Sequence, residues 1–362
     1  MIRALINHAC LLALIPLLLD GAPALAEPYL AVEEGYKCSV CHVNATGGGL
    51  RNQFGIAYAK ILVPAHGLDD AITAWTGSLI DSVRIGGDLR AQWSSSAVPN
   101  SATVRQFELE QMRLYADVGI IPDRLDVYID EQVAPNAAQN LEAYARFRSR
   151  AGWYLKGGQF YLPFGWRLQD QTAFVREVSG ISMAMPQQGV ELGLEQSAWS
   201  AQLDFTNLPG AATAASGHQA TGQSVYVQSS WRLGAAFSLT RSDAGNRHVL
   251  GVFAGIRTGP VAWLGEADLV RDASLPRGRS LAAGLVEADW RVLRGHNLKI
   301  TAEIRDPNRA VSEDQQVRYS VLYEYTPLPF LQLRAGYRRY RGIPQSNFQN
   351  RRSSFIELHG YF

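Results

Sequence analysis

The residues best suited to chemistry lie in one short run, Cys38-Ser39-Val40-Cys41-His42. Two thiols separated by two residues and followed at once by an imidazole have the spacing of covalent c-type haem attachment. The thiols add to the two haem vinyl groups, which leaves the imidazole beneath the iron as its proximal ligand. Two other uses of the same residues compete with this one. A redox dithiol wants its Cys-x-x-Cys at a helix N-terminus within a βαβ pattern, and the flanking sequence offers none. A structural zinc site wants four closed ligands, whereas the neighbourhood supplies Cys38, Cys41, His42 and the more distant His66 with no second paired motif. The motif therefore predicts one covalent haem c, bound through Cys38 and Cys41 and ligated by His42.

The opposite face of the iron is harder to assign. Between Val43 and Gln111 there is one histidine and no methionine, so His66 is the local candidate for a sixth ligand. A loop histidine between Pro64 and Gly67 with no metal role is the competing reading. Met183 and Met185, much later in the chain, and an open coordination position are further alternatives. Gly47-Gly48-Gly49 follows no strand and precedes no Gly-Lys-Ser/Thr, which argues against a phosphate loop and for close approach of backbone to a flat macrocycle. Asn44-Ala45-Thr46 matches a glycosylation acceptor by chance.

What positions these residues is legible in the rest of the chain. Residues 1–26, with Arg3, an apolar run from Leu11 to Leu19 and the small-residue site Ala24-Leu25-Ala26, read as a secretory signal. The run is too short for a membrane-spanning helix, which needs about 20 apolar residues. Cys10 precedes that run and has no assigned role. Secretion agrees with haem attachment outside the cytoplasm. Residues 27–80 then form the haem-bearing segment, and 81–362 a second region of different character. Of 362 residues, 34 are basic and 33 acidic, a balance that gives no support for nucleic-acid binding.

From about residue 82 the pattern becomes one of period-two alternation. Leu125, Val127 and Ile129 alternate with Asp126, Tyr128 and Asp130. Trp199, Ala201, Leu203 and Phe205 alternate with Ser200, Gln202 and Asp204, and Val317, Tyr319, Val321, Tyr323 and Tyr325 face away from Arg318, Ser320 and Glu324. A soluble sandwich shares such alternation. Segments near ten residues long, exceeding the usual five or six, and the rhythm of the connections separate the two. Tight turns are expected at 121–123, 150–152, 196–198, 233–234, 258–260, 294–296 and 326–329. Longer connections are expected at 94–106, 134–138, 165–188, 208–220, 242–247, 272–277, 307–313 and 342–350. These delimit sixteen strands, an even number that returns both ends of the barrel to one side. Trp93, Trp153, Trp199, Trp231 and Trp290 fall at strand ends, as interfacial girdles do. Phe107 and Leu109 run out of phase with Met112 and Leu114, which predicts a bulge near Gln111. The closing Phe355-Ile356-Glu357-Leu358-His359-Gly360-Tyr361-Phe362 resembles the terminal signal of outer-membrane barrels. The fold class is thus mainly β: a transmembrane, antiparallel, up-and-down outer-membrane barrel of about sixteen strands, with a small N-terminal c-type haem segment as its plug.

Signal, single Cys-x-x-Cys-His and barrel together resemble the fused monohaem cytochrome-porins, whose best-known members are outer-membrane iron oxidases. In residues the resemblance rests on Cys38, Cys41, His42 and Phe54-Gly55-Ile56-Ala57-Tyr58-Ala59-Lys60. The chain departs from the iron oxidases in carrying Asn44-Ala45-Thr46-Gly47-Gly48-Gly49 where they have a proline-containing spacer. The resemblance implies an electron conduit in the bacterial outer membrane. Its partners would be membrane lipid, a periplasmic cytochrome or copper protein, and an extracellular metal ion or redox partner, with ferrous iron as the implied donor and Fe(II) oxidation as the implied activity. Two alternatives are a solute channel plugged or gated by the haem segment and a barrel component of a larger cytochrome complex. Arg146, Arg148, Asp126, Asp130, Glu266, Asp268, Arg334 and Arg338 are expected to face the lumen. There they would hold the plug, pair haem propionates, or simply line a solvated pore. In the 165–188 loop, Asp170 and Glu177 accompany the two methionines but form no recognisable metal site.

Overall fold

The computed structural model describes residues 27–68, 74–208, 217–275 and 278–362. The secretory signal expected at 1–26 lies outside them. The N-terminal segment contains α1 (Pro28–Glu34), a 3-10 turn (Cys38–Val40) and α2 (Gln53–Ile61), and a short strand β1 (Ser78–Ile80) leads into the barrel. The wall comprises β2 (Val83–Ala97), β3 (Val104–Ile121), β4 (Leu125–Ala134), β5 (Gln139–Arg148), β6 (Trp153–Phe160), β7 (Gln187–Glu195), β8 (Trp199–Asn207) and β9 (Gly217–Val227). It continues with β10 (Trp231–Ser242), β11 (Gly245–Thr258), β12 (Val261–Asp272), β13 (Arg279–Leu293), β14 (His296–Asp306), β15 (Gln316–Leu328), β16 (Leu331–Arg341) and β17 (Arg352–Tyr361). Sequential neighbours from β2 to β17 pair antiparallel. β17 then returns to β2, with Tyr361 opposite Asp88 and Arg352 opposite Ala97, which closes sixteen strands into a barrel.

Closure inverts the soluble pattern of polarity. On β8, Trp199, Leu203 and Phe205 are exposed on the outside, whereas Ser200, Gln202 and Asp204 are buried. On β15, Tyr319, Val321 and Tyr323 face outward and Arg318 and Glu324 are buried. An apolar exterior with a polar interior is the arrangement that a lipid bilayer requires of a closed barrel. Trp153, Trp199, Trp231, Trp263 and Trp290 ring the tight-turn end, with Trp93, Phe107, Tyr319 and Tyr337 nearer the other rim, all on the outer surface. The chain is therefore an outer-membrane β-barrel of the bacterial type.

Strand count, direction and most connections agree with the alternation. The bulge is present: Arg90 pairs with Gln111 and Ala91 with Leu109, leaving Glu110 unmatched. Two connections differ. The turn expected at 233–234 lies instead at 228–230, and Gly234 is a strand residue opposite Phe253. A side chain at Gly234 would collide with the Phe253 ring, so glycine here serves cross-strand packing rather than a turn. The longer connection expected at 242–247 is a tight hairpin in which Ser242 pairs with Gly245. Gly245 holds φ at 133°, a region that favours glycine.

Two inserts occupy the lumen. α1 packs against β11 and β12. Residues 161–186 fold inward from the β6–β7 connection, and their helix α3 (Phe174–Ser179) packs on β12, β13 and β14 across the barrel. Between them they bury Tyr29, Val32, Phe164, Trp166, Phe174 and Val178 against Val225, Val249, Phe253, Leu264 and Leu285 of the wall. Replacing outward-facing Leu250, mid-way along β11, by arginine should lower barrel stability by about 2–4 kcal/mol in urea titrations of the lipid-embedded protein.

Candidate haem-binding site

The Cys-x-x-Cys-His motif forms one turn of 3-10 structure, in which the Cys41 and His42 amides both donate to the Cys38 carbonyl, at 3.2 and 3.0 Å. Val43 then pairs with Leu50 (N···O 3.0 Å), and His42 bridges to Arg51, making a small hairpin with Gly47, Gly48 and Gly49 near its tip. All three glycines have positive φ, and a Cβ on Gly49 would strike the Tyr128 hydroxyl. Asn52 joins the motif to α2. Its Oδ1 accepts from the Gly55 amide as the helix cap, at 2.9 Å, and its Nδ2 donates to the Val40 carbonyl at 2.9 Å. Gly55 lets α2 approach, because a Cβ there would overlap the Cys41 carbonyl. Thus the Phe54-Gly55 pair has a local steric reason.

The wall fixes this segment on several sides. Lys37 Nζ and Ser39 Oγ donate to Glu195 Oε2 at 2.7 and 2.9 Å. Arg232 donates to the Ala31 carbonyl (3.0 Å) and to that of Tyr36, with its guanidinium beside Cys38. Arg146 donates to the Val43 carbonyl at 2.7 Å, Asn44 to Glu142 at 3.1 Å, and the Tyr128 hydroxyl accepts from the Leu50 amide at 3.1 Å. Glu33 and Glu34 pair with Arg291 of β13. Arg291 and Glu195 mark the tight-turn end, so the segment enters from that side. Glu142 lies about six residues up from that end of β5, roughly 20 Å along the strand at 3.3 Å per residue. With the usual tilt this brings Asn44 near mid-height of an apolar band about 25 Å tall.

The motif opens onto a cavity between the N-terminal segment, the inward loop and the wall, with about 1550 Å³ of space once the open solvent at its mouth is included. Cys38, Cys41 and His42 all line it, together with Gly47, Gly49, Arg51, Arg167 and Arg232. The two cysteines are free rather than bridged. His42 Nδ1 is buried without a hydrogen-bond partner. Removal from water, reinforced by the positive charges of Arg51 and Arg167, lowers the His42 pKa to about 3, so the imidazole is neutral and has an electron pair to donate. Burial, then the neighbouring Cys38, raises the Cys41 thiol to about 11. A neutral imidazole with an orphaned nitrogen, two adjacent free thiols and a glycine-walled cavity fit a covalently bound haem.

The remaining expected residues separate into groups. His66 is exposed, its amide bonded to the Pro327 carbonyl at the tight-turn rim, and it does not line the cavity. The structure does not bring it to His42. Met183 is buried in a cluster that includes Val43, while Met185 is exposed. His359 does line the cavity, but its ring nitrogens are engaged by Asp88 and Gln332, at 2.8 and 3.1 Å. Of the lumen charges, Arg146 holds the N-terminal segment, while Glu266 and Arg338 hold the inward loop through Arg176 and Asp170. Asp126, Arg148, Asp130 and Arg334 pair with other wall residues, and Asp268 lies beside Glu266 without a hydrogen bond. Asp170 and Glu177 are likewise taken by Arg318 and Arg305.

Arg51, Asn52, Arg167, Glu195 and Arg232 had no role in the sequence reading. Arg232 was legible in principle, since it alternates with outward Trp231 and Leu233 once the misplaced turn is removed.

No family model matches this chain, and no curated protein does. Solved structures do. An anion-selective porin from Comamonas acidovorans is 7% identical, with TM-score 0.64 over 78% of this chain and 99% of that one. The OmpT outer-membrane protein of Vibrio cholerae, lacking loop L8, is 9% identical, with TM-score 0.60 over 78% of this chain and all of its own. The outer-membrane channel DcaP of Acinetobacter baumannii is 10% identical, with TM-score 0.59 over 77% and 97%. The barrel has the porin fold. At such identities the likeness concerns the fold alone.

Replacing Arg291 by alanine leaves Glu33 buried and unpaired. Hydrogen exchange of residues 28–36 should accelerate about tenfold or more, on the scale of one charge-assisted bond, with the strand amides unchanged. In haem-loaded protein, His66→Ala should leave the visible spectrum unaltered.

Proposed function

We propose that the chain is a barrel-enclosed monohaem c-type cytochrome that carries electrons between an extracellular partner and a periplasmic carrier. The observation that carries this reading is the convergence of Cys38, Cys41 and the neutral His42 imidazole on one cavity inside the lumen. Haem iron supplies a one-electron couple, which no side chain of this lumen offers at ordinary potentials.

The protein's own contribution is position and environment. Cys38 and Cys41 present two thiols from a single turn, and His42 presents a nitrogen that stays unprotonated at neutral pH. Glu195, through Lys37 and Ser39, fixes that turn to the wall. Gly165, Trp166, Arg167 and Gln169 of the inward loop line the cavity, and Trp166 is buried among Val32 and Phe253. The Cys38 side of the motif lies at the tight-turn end, where Lys37 and Ser39 meet Glu195, so the path toward a periplasmic carrier would be the shorter one. The resemblance to monohaem cytochrome-porins favours ferrous iron as the extracellular donor. The periplasmic partner would be a small cytochrome or copper protein meeting the tight-turn end.

A solute channel plugged by the N-terminal segment is the second reading. It is favoured by the porin fold and by the name of one neighbour, an anion-selective porin.

Protein made with a haem-attachment system should stain for covalent haem on a denaturing gel, and Cys38→Ala/Cys41→Ala should not. On anoxic mixing with ferrous iron, the reduced haem bands should appear rapidly, and planar bilayers should record a closed barrel. Haem reducible by dithionite but not by ferrous iron would move the donor elsewhere. Large steady conductance of the intact chain would favour the channel.

A further inference from the structure

We propose that Arg167, on the inward loop, is an anion-binding residue that pairs with a carboxylate of the cofactor tethered at Cys38 and Cys41. The loop that narrows the barrel is then a wall of the cofactor site. This inference rests on the haem reading above and assigns to it a residue from a separate part of the chain.

Arg167 is 8% exposed, and both terminal guanidinium nitrogens, Nη1 and Nη2, are buried with no hydrogen-bond partner. Its one ring contact is Tyr161, 5.4 Å from the guanidinium carbon. Asp130 and Asp204 act on it only through space. Arg90 pairs with Asp88 and Glu357, Arg318 with Glu303 and Asp170, and Arg334 with Glu324 and Glu357, while Arg113 keeps one contact to Asp130 and Arg232 donates to backbone carbonyls. A guanidinium desolvated without such a partner is strongly unfavourable, and its planar fork suits a bidentate carboxylate.

The backbone holds this side chain in place. The Trp166 amide donates to Glu266 Oε2 at 2.9 Å, and its indole nitrogen to the Gly265 carbonyl at 3.0 Å. The Leu168 amide donates to the Trp166 carbonyl at 2.9 Å. Gly165 adopts φ 61°, and a Cβ there would overlap the Glu266 carboxylate. Arg167 is thus presented from a turn fixed on both sides.

It lines the same cavity as Cys38, Cys41 and His42. The His42 imidazole and the Arg167 guanidinium, from two segments far apart in sequence, line one cavity, and the guanidinium has no hydrogen-bond partner. A single ligand with a Lewis-acidic centre and a carboxylate at its edge satisfies both. Haem has that chemistry through its iron and its propionates.

The test uses the full-length chain in two forms. In the Cys38→Ala/Cys41→Ala barrel, haemin and haemin dimethyl ester are titrated by absorbance. Free haemin should bind about tenfold or more tighter, the scale of one charge-assisted hydrogen bond, and R167Q should abolish that preference while R167K keeps most of it. In the covalently loaded protein, R167Q should lower the midpoint potential, because an uncompensated propionate stabilises the ferric state, and R167K should restore it. Heat-modified gel migration verifies that each variant is folded. An unchanged preference and an unchanged potential in folded R167Q would overturn the role of Arg167 alone. Absence of covalent haem in the wild-type chain would instead overturn the haem reading on which it rests.

Discussion

Every second residue of a closed barrel points into the lumen, and in a membrane those are the polar ones. A lumen walled by Arg90, Arg113, Asp130, Glu191, Arg318 and Glu357, all nearly inaccessible, must give each charge a partner or leave it stranded at high cost. The rest of the molecule follows from how this requirement is met. Within the wall, Arg90, Arg334, Glu324 and Glu357 form one connected network across strands, and Arg318 with Glu303 another. The charges left over select what enters the barrel.

The two inserts are held by charges of the same lumen, some of which also pair within the wall. Arg291, Glu195, Arg146 and Arg232 bind the N-terminal segment, while Glu266, Arg318 and Arg338 bind the inward loop. Pairs of this kind add little net stability after desolvation, but removing one partner is strongly unfavourable. They therefore fix location and orientation, whereas apolar contacts of Tyr29, Val32, Trp166 and Phe174 with the wall supply the attraction. A porin-like pore is narrowed by two inserts without any change in strand number.

The narrowed lumen changes the chemistry of what lies in it. His42 in water would be partly protonated near pH 6.5, but in the barrel it is neutral throughout the physiological range. The arginines that help to depress it, Arg51 and Arg167, also make the cavity electropositive. A neutral imidazole on one side and an unpaired guanidinium on another would suit the anionic, metal-bearing cofactor proposed here.

The amino-acid sequence by itself determined the barrel, because period-two alternation and turn chemistry are local and repeat sixteen times. It also set Cys38, Cys41 and His42 at the adjacent spacing that the proposed haem attachment would need. The bulge at Glu110 was legible from a break in phase. Gly234 and Gly245 were misread because one glycine relieves a cross-strand ring and the other tightens a hairpin, and composition does not distinguish these uses. Only the tertiary structure decided that His66 lies at the rim, that residues 161–186 fold inward, and that Arg167 and Arg232 reach the cavity of the motif. Those outcomes depend on which side chains face each other across a closed lumen, and residues more than a hundred positions apart leave no local signature of that meeting.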